Sequence, residues 1–241
     1  MVKKRIDSLL VEEGLVDSRA KAQAMIMAGE VAVAGKTITK AGTPFSKGAE
    51  INILQPPPFV SRGGLKLEYV LDQFQLDVSN RVVADIGAST GGFTDCLLQR
   101  GASRVYAVDV GYGQLDYRLR QDKRVVVMER VNARYPFSLP EKIDLVTIDL
   151  SFISVKKVLS SVAALLKDEG RLLVLLKPQF EARRGEVGKG GVIKEPLMHT
   201  TVLGRFITWV VENDFRLKGL VASPILGAEG NREFFVLLKL T

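Results

Sequence analysis

The chain has 241 residues, 46% of them apolar, a formal net charge of +7, one cysteine and one histidine. That length and apolar content supply a packed core and leave room for two domains, one of them small. A lone cysteine excludes an internal disulfide and a cysteine-built zinc site, while the excess of positive charge favours polyanionic partners, nucleic acid first among them. No stretch approaches the ~20 apolar residues of a membrane helix. The basic start Met1-Val2-Lys3-Lys4-Arg5 runs into an acid-containing amphipathic segment instead of an apolar signal core, so a cytoplasmic protein is expected.

Ile6, Leu9, Leu10 and Val11 recur at helical spacing, and Gly14 offers a left-handed stop. Asp17 or Ser18 can cap a second helix, whose Ala20, Ala24, Met25, Ile26 and Ala28 make a small-residue face for close packing on the first. Residues 31–33, a turn at 34–36 and residues 37–39 read as a hairpin, with another short strand at 51–54. Two short helices leading into short strands, with Arg5, Arg19, Lys21, Lys36, Lys40 and Lys47 along them, resemble the S4-type RNA-binding fold. The resemblance implies that Arg5, Arg19 and Lys21 meet phosphates and position RNA without reading its bases.

Gln55-Pro56-Pro57-Pro58 can continue neither a helix nor a sheet. Residues 1–55 are therefore expected as the small domain, 56–60 as a semi-rigid linker and 61–241 as the large domain. An entry helix carries Leu65, Tyr69, Val70 and Phe74, and strands follow at 82–84, 105–108, 125–128, 145–148, 172–176, 220–225 and 234–238 with helices between. The connection 226–233 is too short for a helical crossover, so the last two strands are expected as an antiparallel hairpin closing an otherwise parallel sheet. The expected class is α/β, a Rossmann-like seven-stranded sheet of the kind usual in methyltransferases, preceded by the small α+β domain.

Within the large domain, Asp85-Ile86-Gly87-Ala88-Ser89-Thr90-Gly91-Gly92-Phe93 reads as strand, glycine turn and helix start. Glycines let a ligand approach the backbone, and the helix start offers unpaired N–H groups. Dinucleotide binding wants G-x-G-x-x-G with an acid about 20 residues on. The spacing of Gly87, Gly91 and Gly92 differs, which argues against a nicotinamide dehydrogenase. Asp85 can accept from a ligand amine or hold the loop, and Asp109, ending the next strand, is placed to chelate a ribose diol. A cationic, phosphate-free cofactor fits this pattern, and S-adenosylmethionine is expected, with further contacts from Ser89, Gly91, Gly92 and Phe93.

Ligands of open parallel sheets bind at the carboxyl ends of the strands. Asp149 and Lys177 end two strands, Glu233 opens the last, and Lys66 lies on the entry helix. Lys-Asp-Lys-Glu in that order, with the cofactor turn between the first two members, resembles the catalytic tetrad of FtsJ-like ribose 2'-O-methyltransferases. Together with Ser61-Arg62-Gly63-Gly64-Leu65-Lys66-Leu67, Asp149-Leu150-Ser151-Phe152-Ile153-Ser154 and Lys177-Pro178-Gln179-Phe180-Glu181, nearly the whole chain resembles the TlyA-type haemolysin and rRNA methyltransferase family.

What the resemblance implies is S-adenosylmethionine-dependent methylation of a cytidine 2'-hydroxyl in ribosomal RNA, free or in a ribosomal subunit, with large-subunit RNA favoured. Asn132 and Ala133 then lie near the adenine. A ribose hydroxyl must lose its proton as the methyl group arrives, so Lys177 is the expected base, beside the second cation Lys66. Asp149 and Glu233 hold the lysines and the ribose in line, and no metal is expected. Residues 181–195, with Arg183, Arg184, Lys189 and Lys194 among four glycines, predict a flexible loop that faces RNA, and Arg62 is a further expected RNA contact. Cys96 is expected inside a helix, and His199 as a cap or a surface residue. Direct lysis of membranes finds no support in a span or lipidation signal. The intact set of four speaks against a non-catalytic RNA-binding scaffold.

Overall fold

The computed structural model describes residues 3–54 and 57–241, so Gln55 and Pro56 of the expected linker lie outside the described residues. The chain divides into two compact units between Pro58 and Phe59. Among the described residues no helix is long and apolar enough to cross a membrane.

The first unit contains β1 (Lys3–Arg5), α1 (Ile6–Glu12), α2 (Arg19–Met27), β2 (Val31–Val33), β3 (Lys36–Thr37), β4 (Pro44–Ser46) and β5 (Ile51–Ile53). Ile6 and Leu10 of α1 meet Ala22 and Ile26 of α2 over Val31 and Val33, so the helical spacing of α1 becomes one wall of a small core. Ser18, rather than Asp17, caps α2 by accepting the Lys21 N–H at 3.3 Å. The hairpin turns on two residues instead of three. Ala34 and Gly35 both take positive φ, 47° and 74°, the mirror-image turn that suits strand twist, and Lys36 is left inside β3 opposite Val33. Strands β1 and β4 pair antiparallel, Lys3 opposite Ser46 and Arg5 opposite Pro44, without any apolar alternation to announce them.

The second unit contains α3 (Arg62–Gln73), β6 (Val82–Ile86), α4 (Gly92–Gln99), β7 (Arg104–Val108), α5 (Tyr117–Gln121), β8 (Val125–Met128), β9 (Ile143–Ile148), α6 (Lys156–Ala163), β10 (Leu166–Leu176), α7 (Pro178–Glu181), α8 (Pro196–Glu212), β11 (Phe215–Ala222) and β12 (Phe234–Leu240). Its seven strands lie in the order β11-β12-β10-β9-β6-β7-β8. β12 runs antiparallel to both neighbours, and the pairs β10–β9, β9–β6, β6–β7 and β7–β8 are parallel.

Helices cover both faces, so the central strands are apolar on both sides. Leu172, Val174 and Leu176 of β10 face the layer of α6 and α8, with Leu159, Val162 and Phe206, while Leu173 and Leu175 face α3 and α4, with Leu67, Val70 and Leu97. Phe59, 4% exposed, joins that second layer and the Val60 N–H is accepted by Asp95 at 2.8 Å. The last two residues assigned from sequence to the spacer are therefore built into the large unit. β11 begins and ends earlier than the expected 220–225, because its pairing with β12 runs from Phe215 opposite Leu240 to Ala222 opposite Phe234. As an edge strand it exposes Arg216 and Lys218, and these charges hide it from a search for apolar runs.

Strand order reverses at β6 and β9, and there the two strand ends touch main chain to main chain. Gly87 has φ +84°, and a Cβ on it would overlap the Asp149 carbonyl oxygen. Gly87→Ala is expected to destabilise the large unit by roughly 2–4 kcal/mol, from left-handed strain plus a clash with backbone that cannot rotate away. An unchanged urea midpoint would show that the crossing tolerates a side chain.

Candidate active site

The turn after β6 is shaped by the protein's own neighbours. Beside the contact at Gly87, a Cβ on Gly91 (φ +96°) would overlap Leu119 and come within 2.8 Å of Leu115, and one on Gly92 would overlap the Ser61 hydroxyl and approach the Gly64 nitrogen to 3.0 Å. These glycines admit α5 and the start of α3, where the sequence suggested room for a ligand. Asp85 holds the loop from below and is closed off from solvent. It is 0% exposed, and its carboxylate accepts from the Thr94 hydroxyl at 2.7 Å and the Thr147 hydroxyl at 2.9 Å.

Above the turn lies a cavity of about 500 Å³ lined by Gly87, Ser89, Asp109, Gln114, Asn132, Ala133, Arg134, Asp149 and residues 150–153, among others. Asp109 accepts the Ser89 N–H at 2.8 Å on one oxygen and the Gly111 N–H at 2.7 Å on the other. Each carboxylate oxygen still has a lone pair for a diol. A smaller recess of about 140 Å³, lined by Ser61, Gly63, Lys66, Gly87, Ala88, Ser89, Thr90, Gly92, Phe93 and Asp149, adjoins it. Gly87, Ser89 and Asp149 line both. Of the nine residues expected at the cofactor, Asp85 and Gly91 line neither space.

Lys66, Asp149, Lys177 and Glu233 form two ion pairs. Lys66 Nζ lies 2.5 Å from Glu233 Oε2, with the two side chains 11% and 3% exposed. Lys177 Nζ lies 2.6 Å from Asp149 Oδ1 and donates to the Ser151 hydroxyl at 2.9 Å. The sheet brings the pairs together, because Leu176 and Phe234 are partners across β10 and β12 and place Lys177 beside Glu233. Gly227 backs Glu233 so closely that a Cβ there would overlap its carboxylate.

Two residues beside this site carry no strong sequence signal. Phe152 is 92% exposed in a left-handed conformation, φ +65°, with its ring 5.3 Å from that of Phe180. Glu181 fixes the same segment, accepting from the Ser154 hydroxyl at 2.7 Å and the Val155 N–H at 2.6 Å, and burial pushes its carboxyl above the ordinary range. An apolar residue in the run Ser151-Phe152-Ile153 reads as core, and only its positive φ turns the ring outward.

Among the expected RNA contacts, Arg5 and Arg19 both reach the buried Asp7, Lys21 pairs with Asp17 at 3.1 Å, and Arg62 donates to the Leu226 carbonyl at 2.9 Å. Arg183 and Arg184 are exposed, whereas the Lys189 side chain lies outside the described residues. The loop that holds them is tied down. Arg205 on α8 donates to both oxygens of Glu186, at 2.9 and 2.6 Å, and holds that carboxyl down at about 2. Asn231 donates to the Gly191 carbonyl at 3.0 Å and accepts the Ile193 N–H at 3.2 Å. His199 is neither a cap nor a surface residue: it is 7% exposed, edge-on to Phe234 at 6.0 Å, because α8 turns that face onto the sheet. Cys96 is buried in α4, and desolvation pushes its thiol up to about 12.

A seven-stranded sheet of this order, with a cavity at the carboxyl ends of its strands and two lysine–acid pairs that place Asp149 on the cavity wall and Lys66 on the recess beside it, is the architecture of a methyltransferase. Residues 59–240 match the FtsJ-like methyltransferase family and residues 4–51 match the S4 domain. The chain is 46% identical over 241 residues to YqxC of Bacillus subtilis, covering 97% of this chain and 85% of that one. It is 41% identical to a Mycobacterium tuberculosis protein named 16S/23S rRNA (cytidine-2'-O)-methyltransferase TlyA, covering 98% and 89%. A solved structure from Streptococcus thermophilus, named as a hemolysin, aligns with a TM-score of 0.75 at 43% identity over 100% of this chain and 90% of that one. The chain belongs to the FtsJ-like methyltransferases that carry an amino-terminal S4 domain, the TlyA type.

Burial, more than any other influence, pushes Asp85 up to about 6 from 3.8, against the two threonine hydrogen bonds and aided by the charge of Asp149. A carboxyl that ionises less readily folded than unfolded favours the folded state at low pH and loses that advantage as pH rises from 3.8 through about 6. Asp85→Asn can still pair with both hydroxyls and carries no such loss. Its unfolding free energy relative to the parent should therefore rise by about 2 kcal/mol between pH 4 and pH 7. Parallel urea-midpoint profiles for the two proteins would rule this out.

Proposed function

We propose that this protein uses S-adenosylmethionine to methylate a cytidine ribose 2'-hydroxyl in ribosomal RNA, with large-subunit RNA the favoured substrate. The observation that carries the proposal is the shared wall: Gly87, Ser89 and Asp149 border both the large cavity and the recess that contains Lys66. A cavity of about 500 Å³ is of the size that holds a nucleoside-sized ligand. Asp109 would hold the ribose diol of the cofactor, and Asn132 and Ala133 would flank its base. Bound there, S-adenosylmethionine supplies a methyl group activated by its sulfonium.

The acceptor side is built from the chain's own residues. Lys177 is the group that takes the proton of the 2'-hydroxyl, and Asp149 and Ser151 hold its nitrogen in place. Lys66 lines the recess together with Asp149, and Glu233 holds its nitrogen in place. Phe152 offers an open ring face next to Ser151, the hydroxyl partner of Lys177, on which the base of the acceptor nucleotide stacks. Arg62, Arg183 and Arg184 meet phosphates around this mouth, and the S4 unit adds Arg5, Arg19 and Lys21. The first unit serves as the RNA-holding domain and residues 59–241 as the catalytic one, in a cytoplasmic enzyme that meets ribosomal RNA or its subunits there.

Methyl transfer from labelled S-adenosylmethionine to purified ribosomal subunits, with mapping of the modified ribose, tests the proposal. Unmodified subunits of both sizes would reject it. Lys177→Ala should lower turnover at least about 100-fold while cofactor affinity stays within about twofold of the parent, and normal turnover would remove Lys177 from the base role. Phe152→Ala should lower kcat/KM for RNA by about 5- to 150-fold, the range of one lost base stack. An unaffected kcat/KM would show that the ring does not meet the acceptor.

A further inference from the structure

We infer that Asp7 is the positioning residue of the amino-terminal unit, a buried carboxylate that presets the Arg5 and Arg19 guanidiniums as a fork for RNA phosphate. The inference rests on the proposed RNA substrate and adds to it the device that orients the contact.

Asp7 lies in the first turn of α1 and is 0% exposed. Its two oxygens accept from three side chains on two other elements. Arg5, at the end of β1, donates Nε at 3.0 Å and Nη2 at 2.8 Å, one to each oxygen. Arg19, at the start of α2, donates Nε at 3.0 Å, and Gln23, one turn later, donates Nε2 at 2.8 Å. The Ser8 hydroxyl adds a longer contact at 3.4 Å. Both arginine side chains are nevertheless half exposed, 50% and 55%. A guanidinium is planar with five fixed donors, so occupying one edge fixes the direction of the rest. Arg5 keeps its Nη1 donors and Arg19 keeps both Nη groups for an outside acceptor.

The arrangement does more than stabilise a small core. A buried carboxylate held by partly solvated arginines is a weak source of stability, and an apolar residue of similar size often serves a core as well. It does remove rotamer freedom from two long side chains before RNA arrives, which lowers what ordering them costs at binding. Arg5 above all, then Gln23 and Arg19, hold the Asp7 carboxyl well below the ordinary range against the opposing effect of burial. The template therefore stays ionised at working pH.

Charge alone predicts the opposite sign. Neutralising an acid on a basic face strengthens binding to a polyanion, whereas loss of the template weakens it. The test is equilibrium binding of the full-length protein to purified large ribosomal subunits at fixed salt, with S-adenosylmethionine affinity measured on the same samples. Asp7→Asn is expected to weaken subunit binding about tenfold and to leave cofactor affinity unchanged. Arg5→Ala/Arg19→Ala is expected to weaken binding by itself, and adding Asp7→Asn to it to bring no further loss. That background separates lost orientation from lost fold, because a collapsed unit would weaken binding there too. Asp7→Asn protein that binds as tightly as the parent or more tightly overturns the inference, as does a tenfold loss that recurs in full without the two arginines. Parent-level binding by the double arginine variant would overturn the assignment of these arginines to RNA, and the template with it, while leaving the methyltransferase assignment in place.

Discussion

The site depends on one contact between backbones. Where β6 and β9 leave the sheet, Gly87 lies against the Asp149 carbonyl with no room for a side chain between them. The turn that borders the large cavity and Asp149, one of the lysine–acid set, are therefore held at a fixed separation by main chain alone. In-line transfer between two bound partners depends on alignment to fractions of an ångström. Main-chain contact gives that alignment more firmly than two mobile side chains could. The neighbouring glycines repeat the device, Gly91 admitting α5 and Gly92 admitting α3, so the turn is clamped from three sides.

Around that contact the charges are arranged in pairs that cannot be broken singly. Lys66 and Glu233 are both nearly buried, so removing either leaves an uncompensated charge in a poorly solvated place. The exposed pair Lys21–Asp17, with side chains 57% and 91% open to solvent, adds little to stability. Asp85 belongs to a third kind: a buried carboxylate met only by hydroxyls, which raises its affinity for a proton and ties α4 to β9 through Thr94 and Thr147. Chemistry and architecture thus draw on the same few buried polar groups.

The basic segment 181–195 shows how composition can mislead about mobility. Its glycines and cations read as a free loop, yet Glu186 is clasped by Arg205 and Asn231 bonds both Gly191 and Ile193. Asn231 stands two residues before Glu233, so the connector that carries a member of the tetrad also anchors the loop. Arg183 and Arg184 remain exposed on a framework that is already folded.

The amino-acid sequence by itself determined the parallel sheet with its antiparallel last strand, because apolar runs, glycine turns and connection lengths are local properties. It also determined which four side chains to examine, since strand ends are legible in one dimension. It left open whether Asp85 faced a ligand or the core, it placed the next-to-last strand late because a charged edge strand lacks an apolar run, and it gave no reason to turn Phe152 outward. The partners of Asp85 and Asp7, the burial of His199 and the anchoring of residues 181–195 were decided by tertiary structure. Each depends on atoms brought together from distant parts of the chain, and burial, which sets the state of a carboxyl or the reach of a guanidinium, exists only once those parts have packed.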